Sequence, residues 1–169
     1  SWDEALGIVA AEIARVRGDP GRSPLIAGAI AEAYKTSSSA IASKREFTTC
    51  LAEVMGKKIL VTSTGIGGPS TSIAVDELAQ LGVKTFIRVG TTGAIQERIN
   101  DGDCVITTAA VRLDGASRHY APIEYPAVAS FEVVSALISG AKEARVNFHS
   151  GITASSDTFY PGEERTDSF

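Results

Sequence analysis

Four runs rich in β-branched and apolar residues set the strongest limit on how this chain can fold: "KKILVTST" (57–64), "VKTFIRVG" (83–90), "DCVITTAAV" (103–111) and "NFHSGITAS" (147–155). None alternates cleanly between apolar and polar residues, so each reads as an interior strand covered on both faces rather than one with a wet side. Between them lie stretches of helical character, 69–81 and 127–145. In the second of these Val128, Phe131, Val134 and Leu137 recur at three-residue steps. Strands alternating with helices predict an α/β fold with a largely parallel sheet between helical layers.

The segment 24–42 starts as a helix and then meets Ser37, Ser38 and Ser39, which favour turns, so a loop is expected there. No repeat or linker divides the 169 residues. One domain over 1–169 is the expectation, large enough to bury roughly 70 % of its unfolded surface. The final "SSDTFYPGEERTDSF" is polar and follows a strand without a covering helix, so the fold is expected to be incomplete at the C-terminus.

The formal charge of −4 argues against a broad basic face for nucleic acid, though a few arginines can still converge on a small anion. No apolar stretch reaches the ~20 residues that a membrane span requires. Cys50 and Cys104 lie in strand-like runs without a metal-ligand partner nearby, which reads as buried, reduced thiols.

The stretch "STGIGGPSTS" (63–72) joins a strand to a helix. Pro69 suits the first helical turn, and Gly82 suits a left-handed cap at the far end. Gly65, Gly67 and Gly68 form either a tight corner or a loop whose bare amides face an anion. Neither the dinucleotide fingerprint nor the P-loop pattern is complete here. Two further anion candidates are "RGDPGR" (17–22) and "RVGTTGA" (88–94), the latter placing Arg88 and Thr91 at the carboxyl end of an expected interior strand. Guanidinium forks meet an oxyanion bidentately, so arginines at glycine-rich turns suit phosphate.

The run "VTSTGIGGPSTSIAVDELAQLGVKTFIRVGTTGAIQ", continued by "VRLDGASRHYAPIEYPAVASFE" and "GITASSDTFYPGEER", resembles the hexameric nucleoside phosphorylase family. "SSDTFYPG" points to its uridine phosphorylase branch, and "GDPGR" resembles the family's phosphate loop. The resemblance implies a three-layer fold with a mostly parallel, mixed central sheet flanked by helices. It implies a cytoplasmic homohexamer built from dimers, which cleaves uridine with phosphate to uracil and ribose 1-phosphate and needs no organic cofactor.

Carried over by position, the resemblance makes Gly18, Arg22, Arg88 and Thr91 the phosphate ligands, with Arg45 reaching the phosphate of a neighbouring subunit. Thr92 and Gly93 line the space between phosphate and nucleoside, and Phe159 packs on the base. Arg165 donates to a pyrimidine carbonyl, so Arg88 and Arg165 carry the catalytic burden. Glu46, Ile66 and Ser70 match a site for a monovalent cation such as potassium. The "GIGGPS" turn then shapes a subunit interface and the pocket floor.

Catalysis by charge stabilisation needs no acid–base dyad, and His119 and His149 read as structural. The sequence departs from the family at Glu163, where Gln is usual: an ionised Glu accepts but cannot donate, which weakens uracil reading. Residues 1–17 also differ, and the chain stops before the family's Glu-Met-Glu ribose segment. An inactive phosphate-binding fragment, or a relative of the purine phosphorylases or nucleosidases, is the alternative.

Overall fold

A computed structural model describes residues 22–158. Helix α1 (Arg22–Ala33) buries Ser23, Ala27, Ile30 and Ala31. These positions fall on one stripe of a 3.6-residue period; Ser23, Ala27 and Ala31 are small enough to let the helix approach a sheet closely, and Ile30 fills the contact. That sheet is an antiparallel meander of β1 (Ser38–Lys44), β2 (Phe47–Val54) and β3 (Lys57–Thr62). Ala27 and Ile30 meet Cys50, Ala52 and Val54 in the core, with Ile26, Tyr34, Ile59 and Val61 around it. Two side chains seal the contact: Ser23 donates to the Thr48 carbonyl at 3.1 Å and Thr36 to that of Glu53 at 2.8 Å.

The loop expected around Ser37–Ser39 gives way to β1. Pairing of Ser38 with Ala52 and Ser39 with Leu51 satisfies the backbone there and overrides the serines' preference for turns. Two-residue turns force antiparallel pairing: Arg45–Glu46 links β1 to β2, and Met55–Gly56, both with positive φ, links β2 to β3.

After β3, residues 63–67 lead into α2 (Gly68–Gln80) with Pro69 in its first turn. The helix ends as expected at Gly82 (φ 94°): the Gly82 amide donates to Ala79 O and the Val83 amide to Leu78 O. The same pair of bonds closes α1 and α3 (Phe131–Glu143), but with Lys35 (φ 52°) and Arg145 (φ 54°) in the left-handed position.

The second sheet has the order β5-β4-β6, with β4 (Cys104–Leu113) between β5 (Ala127–Val128) and β6 (Phe148–Ser156). β4 and β6 are parallel, and α3 crosses between β5 and β6 and packs on β4. The expected helix over 127–145 starts later, because Ala127 and Val128 pair with Ala110 and Ala109 before the chain turns into α3. Cys50 and Cys104 are free thiols, as expected, and burial pushes the Cys104 thiol up.

The α/β class holds, but the sheet differs from the expected one. Among the described residues the only parallel ladder is β4–β6, and the run 83–90 joins neither sheet. Phe86 and Ile87 are each 39 % exposed. An interior strand is stable only with partner edges on both sides, and no described residue supplies one here. No helix among the described residues is long and apolar enough to cross a membrane.

His149, expected to be structural, pairs with an aspartate. At the start of β6 its Nε2 lies 2.9 Å from Asp103 Oδ2, beside the start of β4. The Asn100 amide, and then His149, hold the Asp103 carboxyl below its usual 3.8. A lowered folded-state pKa contributes stability above about pH 4 that is lost as pH falls through the lowered value. Asp103→Asn is therefore expected to flatten the acid limb of the stability curve, measured as urea midpoints between about pH 2 and 6, while leaving the pH 7 to 8 slope unchanged.

Candidate functional site

The "GIGGPS" turn is a corner in which each glycine answers a close approach or a backbone demand. Gly65 has φ 66°, and a Cβ there would sit 2.8 Å from Glu46 Cγ. Gly67 precedes α2 with φ 98°. A Cβ on Gly68 would lie 2.9 Å from Ala116 Cβ in the short 3-10 helix Ala116–His119. The turn thus brings α2 against the hairpin tip on one side and the loop after β4 on the other.

At the hairpin tip the structure joins two of the three expected cation ligands. Ser70 Oγ lies 3.2 Å from Glu46 Oε1 and donates to the Thr64 carbonyl at 2.5 Å. Ser63, which sequence reasoning missed, fixes the turn: its Oγ donates to Glu46 O at 2.6 Å and accepts from the Thr48 amide at 2.8 Å. Ile66 is 99 % exposed. Arg45 occupies the same turn with φ 57° and is exposed.

Arg88, Thr91, Thr92 and Gly93 follow one another on the exposed segment beyond α2. The Arg88 guanidinium lies over Gly90, where a Cβ would stand 3.1 Å from each terminal nitrogen. Thr92 Oγ1 donates to the Gly93 carbonyl at 3.3 Å. Arg22 opens α1. Among the described residues Arg22, Arg45 and Arg88 have no hydrogen-bond or ion-pair partner. No described contact links the three. Gly18, Phe159, Glu163 and Arg165 lie outside the described residues.

Arg112, another residue sequence reasoning missed, organises the loop that follows β4. Its Nε donates to Ser117 Oγ at 2.9 Å, one terminal nitrogen to the Ser117 and Ala121 carbonyls, each at 2.7 Å, and the other to Pro122 O at 2.6 Å and Tyr125 O at 3.1 Å. Asp114 accepts from the Ser117 amide at 2.6 Å and hydroxyl at 2.8 Å. Burial pushes the Asp114 carboxyl up, but these bonds and the Arg112 charge outweigh it, and the pKa falls below its ordinary value. Tyr120 donates to Asp76 Oδ2 at 2.6 Å, which raises the phenol's pKa and ties the loop to α2. A cavity of about 650 Å³ lies between loop and helix, lined by Pro69, Ser72, His119, Tyr120 and Asp157 among others. A local signal for this loop is its Asp-Gly pair in "LDGAS", which suits a turn.

The family model of the phosphorylase superfamily matches residues 12–168. A uridine phosphorylase of Escherichia coli (strain K12) is 59 % identical over 159 residues, covering 94 % of this chain and 61 % of that protein. One of Thermococcus kodakarensis is 53 % identical, covering 88 % of this chain and 52 % of the relative. A guanosine phosphorylase of Halorubrum lacusprofundi is 40 % identical, with 88 % of this chain and 60 % of the relative covered. The chain thus spans about three-fifths or less of the length of these relatives.

Lysine has three donors on a flexible stem and cannot meet the five acceptors that surround Arg112. Arg112→Lys is expected to cost about 1–3 kcal/mol in urea unfolding, whereas Arg118→Lys, an exposed neighbour, stays within about 0.5 kcal/mol of the parent.

Proposed function

The chain belongs to the phosphorylase superfamily, and from that premise we propose that it cleaves uridine by phosphorolysis to uracil and ribose 1-phosphate. The observation that carries the reading is the run from Arg88 to Gly93. Its guanidinium is laid over a side-chain-free Gly90 and unpaired among described residues, in a sequence 59 % identical to a uridine phosphorylase.

In this reading Gly18, Arg22, Arg88 and Thr91 hold phosphate, Arg45 approaches the phosphate of an adjoining copy, and Thr92 and Gly93 line the floor towards the nucleoside. A phosphate oxygen bonds to the anomeric carbon as the bond to uracil N1 breaks with its electron pair. The proton of hydrogen phosphate ends on N1. Positive charge building on the ribose is met by the phosphate below it, and negative charge on the departing base by Arg165. Phe159 packs on the base, and Glu163 faces its polar edge. No step asks a histidine to move a proton.

A monovalent cation such as potassium suits Glu46, Ser70 and the Ile66 backbone as a structural group. The paired oxygens of Glu46 and Ser70 at 3.2 Å, in a corner that a Cβ on Gly65 would fill, support that placement. Such an ion supplies charge neutralisation between copies of the chain. Large exposed apolar groups such as Ile66 and Phe131, 79 % exposed, support a self-associated form, here a dimer-based homohexamer in the cytoplasm.

Uracil release from uridine, followed by ultraviolet absorbance, is expected only with phosphate present; equal release without it is hydrolysis and overturns the reading. Arg88→Ala is expected to raise the KM for phosphate about tenfold to a hundredfold, the loss of a charge-assisted contact of roughly 1.5–3 kcal/mol. At Glu163, an acceptor facing the uracil O2 costs about 1–3 kcal/mol, so Glu163→Gln is expected to raise kcat/KM for uridine by about tenfold.

A further inference from the structure

β6 ends at Ser156, paired with Leu113, the last residue of β4. Asp157 follows with no ladder partner, yet its side chain takes over where the ladder stops: Oδ2 accepts from the Gly115 amide at 2.7 Å. The absence of a side chain on Gly115 suits the approach, since a Cβ there would stand 3.2 Å from the same oxygen. The amide belongs to a turn that is itself fixed. Asp114 holds Ser117 by two bonds, and Arg112 holds both the hydroxyl and the carbonyl of Ser117. A carboxylate bonded to an amide is a charge-assisted contact, stronger than a neutral one.

Asp157 stands two residues before Phe159 and six before Glu163, with Arg165 beyond. In the function proposed above, these three side chains meet the base. They all lie past the last ladder bond of β6, so the direction in which the chain leaves the sheet determines where they arrive. We propose that Asp157 is a positioning residue, which sets that departure through the Gly115 amide and thereby governs recognition of the nucleoside but not of phosphate. The inference rests on the uridine reading for its consequence, while the tether itself is a matter of this geometry. Among the described residues, Asp157 has no hydrogen bond to the arginine-bearing segment 88–93.

Steady-state kinetics of Asp157→Ala with each substrate varied is the test. The KM for uridine is expected to rise about tenfold with the KM for phosphate within about twofold of the parent. Asp157→Asn retains an acceptor oxygen and is expected to restore uridine KM to within about threefold. Hydrogen exchange of the peptide over 157–169 is expected to quicken in Asp157→Ala and not in Asp157→Asn, whether or not the enzyme turns over. An unchanged uridine KM, an equal rise in both KM values, or unchanged exchange overturns the proposal. If the parent releases no uracil from uridine yet exchange quickens, the tether stands and the function reading falls. Should Asp157→Ala not fold, Gly115→Ala, which crowds the same bond from the donor side, is expected to give the same split. Failure of both to fold overturns the proposal, since a contact at an exposed turn would then govern folding rather than recognition.

Discussion

Five hydrogen bonds from one guanidinium set the course of the chain between β4 and β5. Arg112 leaves none of its donors idle, and four of its five bonds end on main-chain carbonyls. The Ser117 and Pro122 carbonyls also accept from the Tyr120 and Tyr125 amides, and the guanidinium adds the bonds that draw these short turns together. Once the loop is held, Gly68 can pack on Ala116, Tyr120 can reach Asp76 on α2, and Gly115 can meet Asp157 after β6. A single side chain thereby connects β4, α2 and the end of β6.

The cations divide into two kinds by what surrounds them. Arg112 is saturated and structural, whereas Arg22, Arg45 and Arg88 have no described partner within the chain. These three arginines stand at the start of α1, in the β1–β2 turn and on the irregular segment after α2.

Legibility in the sequence followed the reach of each interaction. The helix over 69–81 was legible because Pro69 and Gly82 punctuate it, and the strands β3, β4 and β6 because their apolar runs are long. Lys35 and Arg145 occupy the same left-handed cap as Gly82, but no residue type advertises it. β1 was hidden by serines whose turn preference loses to cross-strand pairing with β2. The run 83–90 reads as a strand, and a ladder depends on partner edges that its own composition cannot reveal. The arginines at glycine-rich turns were visible as anion candidates from residue type alone. Arg112, Ser63 and Asp157 were not, because what they bind is backbone.

The first sheet also has a bearing on the order in which the chain assembles. α1, β1, β2 and β3 follow one another over residues 22–62, joined by turns of a few residues, and their core is closed by Ile30, Cys50 and Val54 from within that span. Loop closure for such contacts is short and costs little entropy. β4 must instead wait for β6, whose first residue, Phe148, pairs with Cys104 across the whole of the intervening loop and α3. During synthesis the hairpin layer is thus free to form on the emerging chain while the parallel pair is still incomplete, and until Phe148 leaves the ribosome β4 has only β5 and α3 against it and one edge unpaired.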